Sequence, residues 1–256
     1  MSNYVCSDIH GIYNIWEQIK EFLQPTDILY CLGDCGDRGP DGWEIITEMY
    51  NHPRVIYLKG NHEDMLANAM LGDKGDCFYN GGRRTYEAWK YKYGKDMSWY
   101  RKLKDLSTHE SHFSDGKEII LCHSGFDLGE RFIYGDEYYW NREHLYTEDW
   151  LGEENQFMIH GHTNAPKMIR YRNWIGDFPK DYDYSDPEIV KYCGGHKINI
   201  DLATAFTGKC ALFNLDTFEV KYFYDEKLYA KYLDELEKYG EKEYWGVEKY
   251  YEKKER

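Results

Sequence analysis

The sequence of 256 residues has no CxxC pair, no excess of basic residues, no long apolar segment and no internal repeat. Each absence excludes a class of protein. The seven cysteines are odd in number and scattered, and Cys6, Cys31, Cys122 and Cys210 lie in apolar runs. They read as buried free thiols of a reducing compartment rather than a disulfide framework. Cys35 alone has a setting that would suit a redox-sensitive thiol. Acidic residues outnumber basic ones 46 to 32, for a formal charge of -14. Such a surface repels nucleic acid and anionic membranes, so neither DNA nor a membrane is an expected partner, although a local cationic site built from metal ions is compatible with it. A strand pattern begins at once at the N-terminus with no basic or long apolar region before it, and the expected location is the cytoplasm.

With 42% hydrophobic residues and 18% aromatics, the chain can fill one large core. Its first half alternates short β-type runs with helical stretches: "NYVCS", a helix from about Gly11, "DILYCL", a helix from about Asp41, "RVIYLKG" and a helix from about His62. This is the rhythm of a layered α/β protein with buried strands. The second half reads as strands at "EIILCH", "QFMIH", "KMIRYR", "KINIDL", "CALFNL" and "FEVKYFY". An aromatic, acidic segment without a clean period, about 171–196, interrupts it and is expected to shape substrate access. Leu228, Tyr232, Leu236 and Tyr239 form a helical stripe in a charged sequence. The expected organisation is one catalytic domain over 1–224, including that insertion, and a charged helical extension over 225–256 packed on the same domain.

One stretch carries more charge than a turn requires. "GDCGDRG", residues 33–39, sets Asp34, Asp37 and Arg38 among three glycines directly after an apolar run. Other ligand-type residues also sit where strands end: Asp8 and His10 in "SDIHG", Asn61 and His62 in "KGNHEDM", His123 in "CHSG", and His160 and His162 in "HGHTN". Open α/β sheets build their sites at such carboxyl ends. The set mixes carboxylates, imidazoles and an amide without thiolate, which suits manganese, iron or zinc better than calcium. It is too large for one ion, and two ions need a bridging group such as a carboxylate.

The ordered motifs Asp8-Ile9-His10-Gly11, Gly33 to Gly39, Gly60-Asn61-His62-Glu63, Cys122-His123, Trp140-Asn141-Arg142-Glu143 and Gly161-His162-Thr163 resemble those of the calcineurin-like metallophosphoesterases. Within that superfamily the likeness is to the phosphoprotein phosphatase group, especially its bacterial and bacteriophage members. A return strand in "NIDLATAFTGKCALFNL" extends it to about residue 215. The resemblance implies an α/β fold of four layers, two mixed β-sheets flanked by helices. It implies that Asp8 and His10 hold a first divalent ion, that Asp34 bridges, and that Asn61, His123 and His162 complete a second, with Mn2+ expected and Fe or Zn as alternatives. His62 would protonate the leaving oxygen with Asp37 orienting it. Arg38, Arg142 and Asn61 would contact phosphate. The chemistry agrees: two divalent ions can supply a hydroxide near neutral pH for direct in-line attack, so no phosphoenzyme is expected.

The implied activity is phosphomonoester hydrolysis, first as a protein serine/threonine phosphatase acting on a phosphoprotein or a small phosphate ester. A dinucleoside polyphosphate or RNA-cap hydrolase is the enzymatic alternative, and a metal-dependent phosphate-sensing binding protein is the non-enzymatic one. His52, His109, His112, His144 and His196 read as ordinary surface or packed histidines. Strand alternation permits His160 to face the site without demanding it. Three departures from the family pattern stand out. Gly36 replaces a branched apolar residue, Ser124-Gly125 replaces a glycine pair, and no asparagine-tyrosine signature follows the last strands.

Overall fold

A computed structural model describes residues 1–94, 96–128, 135–147, 149–172 and 182–240. Two five-stranded sheets organise it. The first contains β1 (Asn3–Cys6), β2 (Ile28–Cys31), β3 (Val55–Tyr57), β9 (Lys209–Asn214) and β10 (Val220–Tyr224), in the order β10-β9-β1-β2-β3. The second contains β4 (His109–Ser114), β5 (Lys117–Cys122), β6 (Gln156–His160), β7 (Val190–Tyr192) and β8 (Lys197–Asn199), in the order β4-β5-β6-β8-β7. Both are mixed: β1, β2 and β3 run parallel, as do β5, β6 and β8, while β9 is antiparallel to both β1 and β10, and the β4–β5 and β7–β8 pairs are antiparallel.

Alternation along the central strands assigns each side chain to one of two cores. Val5, Ala211 and Phe213 face the second sheet and pack with Ile119, Leu121, Ile159 and Ile198. Their neighbours Cys6, Cys210 and Leu212 face outward onto helices. Those helices are α1 (Tyr13–Phe22) and α2 (Gly42–Asn51), followed by α3 (Asn61–Met70), α4 (Gly75–Tyr79), α5 (Arg83–Tyr93) and α6 (Ser98–Lys104). Trp16, Ile45, Ile46, Met65, Leu66 and Trp89 fill this outer core. The expected helices near Gly11, Asp41 and His62 correspond to α1, α2 and α3, and the expected fold, two mixed sheets flanked by helices, is the one observed.

Some local expectations need correction. The run "KMIRYR" is not a strand but lies in α8 (Ala165–Arg172), which follows the short α7 (Glu137–Trp140). Asn164 caps α8 by accepting the Lys167 N–H at 3.0 Å, and Pro166 sits in its first turn, where no backbone donor is needed. Met168 and Ile169 are both buried on the inner face of this helix. The segment 171–196 is not wholly irregular, because β7 pairs with β8 at the sheet edge. Residues 173–181 of that insertion lie outside the described residues.

A short helix, α9 (Thr204–Thr207), precedes β9, and α10 (Glu226–Tyr239) closes the described chain. Asp225 caps α10 through the Leu228 N–H at 3.0 Å. Tyr232 and Leu236 are buried, Leu228 packs on the outer core, and Tyr239 is exposed. Residues 241–256 of the expected extension lie outside the described residues. All seven cysteines are free and buried. Cys35 is no exception, with its Sγ 3.1 Å from Cys31 Sγ and 3.1 Å from Met49 Sδ on the core side of its loop.

Candidate metal centre

The loops after β1, β2, β5 and β6 converge with the start of α3. Asp8 and His10 follow β1, Asp34, Asp37 and Arg38 follow β2, Asn61 and His62 open α3, His123 follows β5, and His162 follows β6. Asp8, His10, Asp34, Asp37, Arg38 and His162 all have φ between 49° and 67°. The left-handed region is costly for residues other than glycine, though Asp and His tolerate it better than most. Strain gathered on one set of loops is a mark of function.

Hydrogen bonds orient the imidazoles. His10 Nδ1 is 3.0 Å from the Gly36 carbonyl and His123 Nδ1 is 2.9 Å from the Leu32 carbonyl, so each ring donates there and turns Nε2 into the site. Gly36 therefore has a role: its carbonyl sets the His10 tautomer, while a Cβ at that position would meet Ile46 Cδ1 at 2.7 Å.

Two clusters share the Asp34 carboxylate. In the first, His10 Nε2 lies 3.6 Å from Asp8 Oδ1 and 3.7 Å from Asp34 Oδ2. In the second, His123 Nε2 lies 3.4 Å from Asp34 Oδ2 and 3.0 Å from Asn61 Oδ1, and His162 Nδ1 lies 2.9 Å from Asn61 Oδ1. Ligands about 2.0–2.2 Å from one ion stand roughly 3–3.6 Å from each other, so the spacing fits divalent metals. His10 Nε2 is buried with no hydrogen-bond partner among the described residues, as a nitrogen reserved for a metal would be.

Charge is concentrated here. Burial would raise the Asp34 carboxyl, but the imidazoles of His123 and His62 hold it well below the usual range. Burial opposes protonation of His123, yet Asp34 outweighs it and pushes that imidazole up to about 9. His62 is also shifted upward, burial being overcome by Asp34 and Asp37. Its Nδ1 is 2.7 Å from Asp37 Oδ2, its backbone N–H donates to Asp34 Oδ1 at 3.0 Å, and its Nε2 is 3.2 Å from an Arg38 nitrogen. Arg38 thus borders the His62 edge of the site. Burial first, then the charges of His123 and Arg142, hold His162 well below the usual imidazole range.

His160 does not join either cluster. Its Nε2 is 2.7 Å from the Tyr192 hydroxyl, and burial pushes it down to about 3, so it is neutral. Of the histidines read as ordinary, His109 stacks on Tyr138, His196 on Trp150 and Phe157, and His52 lies edge-on to Trp16. His112 pairs with Asp216, and His144 is buried.

Two acidic residues were given no role by the sequence. Glu63 is fully buried and accepts the backbone N–H groups of Asp34, Cys35 and Gly60 and the Tyr57 hydroxyl, all within 3.0 Å. Burial and the Asp34 charge push it up to about 7. Asp201 follows β8 and is also buried. Burial and then the charge of Asp8 hold it well above the usual carboxylate range, and Arg38 opposes the shift. Its position just past a strand end was the available signal.

The chain belongs to the calcineurin-like phosphoesterase family, whose pattern matches residues 1–200. It is 24% identical over 195 residues to a symmetrical bis(5'-nucleosyl)-tetraphosphatase of Legionella pneumophila, covering 67% of each chain. It is 25% identical over 138 residues to serine/threonine-protein phosphatase 2 of Escherichia coli, covering 52% of this chain and 62% of that one. Among solved structures, a cold-active protein-tyrosine phosphatase of a Shewanella species superposes with a TM-score of 0.57 at 14% identity, covering 87% of this chain and 77% of that one. A serine/threonine phosphatase from Saccharomyces cerevisiae gives 0.51 at 12% identity, covering 88% and 80%. These structural likenesses concern the fold. As a member of this family the chain is a metal-dependent phosphoester hydrolase.

Proposed function

We propose that the protein is a binuclear phosphomonoesterase acting on phosphoserine and phosphothreonine in proteins. The observation that carries the reading is the sharing of Asp34 by two ligand clusters, with the His62–Asp37 pair 2.7 Å apart beside it. Asp8, His10 and Asp34 would hold one divalent ion, and Asp34, Asn61, His123 and His162 the other, with manganese the first choice. When bound, these ions supply Lewis acidity and a nucleophile at neutral pH.

The chain's own residues do the rest. Arg38, beside His62, and Arg142 would grip phosphate oxygens with planar donors that match them, and Asn61 would add an amide. His62 would give a proton from Nε2 to the leaving oxygen once Arg38, which donates to that nitrogen at 3.2 Å, turns to the phosphate, while Asp37 fixes the ring through Nδ1. With an acid and a nucleophile in place, no serine or cysteine attack is needed and no phosphoenzyme forms. The intact His62–Asp37 pair argues against a protein that only senses phosphate. Seven buried free thiols suit a reducing compartment, which supports a cytoplasmic location, and none of the described helices is long and apolar enough to cross a membrane.

A second reading, hydrolysis of dinucleoside tetraphosphates, is favoured by the larger share of this chain matched by the Legionella relative. Assay of the manganese-loaded protein on phosphopeptides, diadenosine polyphosphates and cyclic phosphodiesters separates them. Highest kcat/KM on phosphoserine or phosphothreonine peptides supports the first reading, and highest on diadenosine tetraphosphate supports the second. Preference for cyclic diesters overturns both.

A further inference from the structure

Arg142 lies on a loop, directly before a 3-10 turn at Glu143–Tyr146, so its reach toward a phosphate depends on what holds that loop. We propose that His144, Tyr192 and His160 form a positioning relay that sets Arg142 relative to the segment after β6 that carries His162. The proposal rests on the reading of Arg142 as a phosphate contact.

On one side the loop is tied to Ser124, and further along it Thr147 Oγ1 donates to Asp127 Oδ1 at 3.0 Å. Ser124 donates its backbone N–H to the Tyr138 carbonyl at 3.0 Å and accepts the Asn141 N–H on its Oγ at 3.1 Å. Its carbonyl lies 2.6 Å from His144 Nε2, which donates to it. Asn141 Oδ1 accepts the N–H groups of Glu143 and His144 at 2.8 and 3.4 Å, which turns the chain at Arg142. The His144 ring lies flush on Gly125, where a Cβ would come within 2.6 Å of its Cε1. This close approach accounts for glycine after Ser124.

On the other side, the Tyr192 hydroxyl sits 3.1 Å from His144 Nδ1 and 2.7 Å from His160 Nε2. His160 ends β6, and His162 follows one residue beyond Gly161. The relay therefore joins the Arg142 loop to the segment that carries His162, by way of the edge strand β7. His144, Tyr192 and His160 are 1%, 5% and 0% exposed. Burial makes the ring nitrogens and the hydroxyl depend on these partners, with His160 Nδ1 also facing the Gly161 carbonyl at 3.1 Å, so the three rings restrict one another's positions. A guanidinium displaced by about 1 Å loses much of its value to a transition state, so such a geometry matters for Arg142.

The test uses the full manganese-loaded chain and the Tyr192→Phe variant, which removes one hydroxyl and keeps the ring. Inhibition by inorganic phosphate is measured together with kcat and KM for an aryl phosphate monoester, metal content and the melting temperature. Tyr192→Phe should raise the phosphate inhibition constant and KM about fivefold through loss of coupling to Arg142, with metal content unchanged. In an Arg142→Ala background the same change should leave the phosphate constant where it was. An equal effect in both backgrounds, or no effect in the unmodified chain, overturns the proposal. His144→Gln, which can still donate to the Ser124 carbonyl, should stay closer to the parent than His144→Leu, and equal losses would mean packing alone. Arg142→Ala by itself tests the underlying reading: an unchanged phosphate constant there removes Arg142 from the site whatever Tyr192→Phe does.

Discussion

Glu63 Oε2 accepts the backbone N–H of Asp34 at 2.8 Å, so the carboxylate shared by both ligand clusters is placed by another carboxylate from the first turn of α3. Glu63→Gln would set an amide NH2 against donors now satisfied by oxygen. Leaving buried donors unpaired costs about 1–3 kcal/mol each, so the variant should lose roughly 2–4 kcal/mol of stability and bind less metal. Urea denaturation and metal analysis measure both. An unchanged midpoint would mean that the loop after β2 holds its shape without Glu63.

His62→Asn should retain metal and lose turnover by about 10²–10⁴-fold, the usual contribution of a positioned acid. Asp34→Asn should lose metal as well, because one oxygen of the shared carboxylate becomes a donor. Metal content determined beside kcat distinguishes the two, and normal turnover in His62→Asn would remove it as the proton donor.

Chelation should lower the melting temperature, and adding back manganese should restore it in a concentration-dependent way, since a ligand that binds only the folded state stabilises it. Asp8 and Asp34 are each under 3% exposed in one crevice, so loss of cations leaves their charges to repel. Calorimetry with and without chelator checks this.

Two glycines of the loop after β2 should respond differently to alanine. At Gly33, φ is +100° and a Cβ would meet the Gly60 backbone nitrogen at 2.3 Å. Neither can relax, and the expected cost is roughly 3 kcal/mol or more. At Gly36 the obstacle is the flexible end of Ile46, and about 1 kcal/mol is expected. Thermal unfolding of the two variants gives the order.

Asp216 links the two sheets: it accepts the Asn3 N–H at 2.9 Å and the Ser114 hydroxyl at 3.0 Å, and faces His112 at 3.6 Å. Burial would raise its carboxyl, but the Asn3 and Ser114 hydrogen bonds lower it on balance. A carboxyl lowered in the folded state stabilises above its unfolded value, near 3.9, and loses that contribution as pH falls through the folded value. Asp216→Asn should therefore flatten the acid limb of the stability curve, with little change in turnover of the surviving folded protein. An acid limb identical to the parent's would show that Asp216 is not among the groups that titrate on unfolding.

The candidate ligand residues and the alternating α/β core were legible in the sequence by itself. Metal chemistry restricts residue type, and buried parallel strands require apolar runs, so Asp8, Asp34, His123 and His162 at the ends of such runs stood out. The order of these motifs, which local propensity does not affect, was enough to identify the family. What only the tertiary structure decided depends on partners far away in the chain. Glu63 and Asp201 are ordinary acidic residues until burial and a neighbouring carboxylate shift them. His144 reads only as an ordinary surface or packed histidine until Tyr192 is brought beside it by β7, a strand of Val190–Tyr192 that is too short to show a period. The same holds for "KMIRYR", whose helix starts at the Asn164 cap and packs Met168 and Ile169 into the core between the sheets.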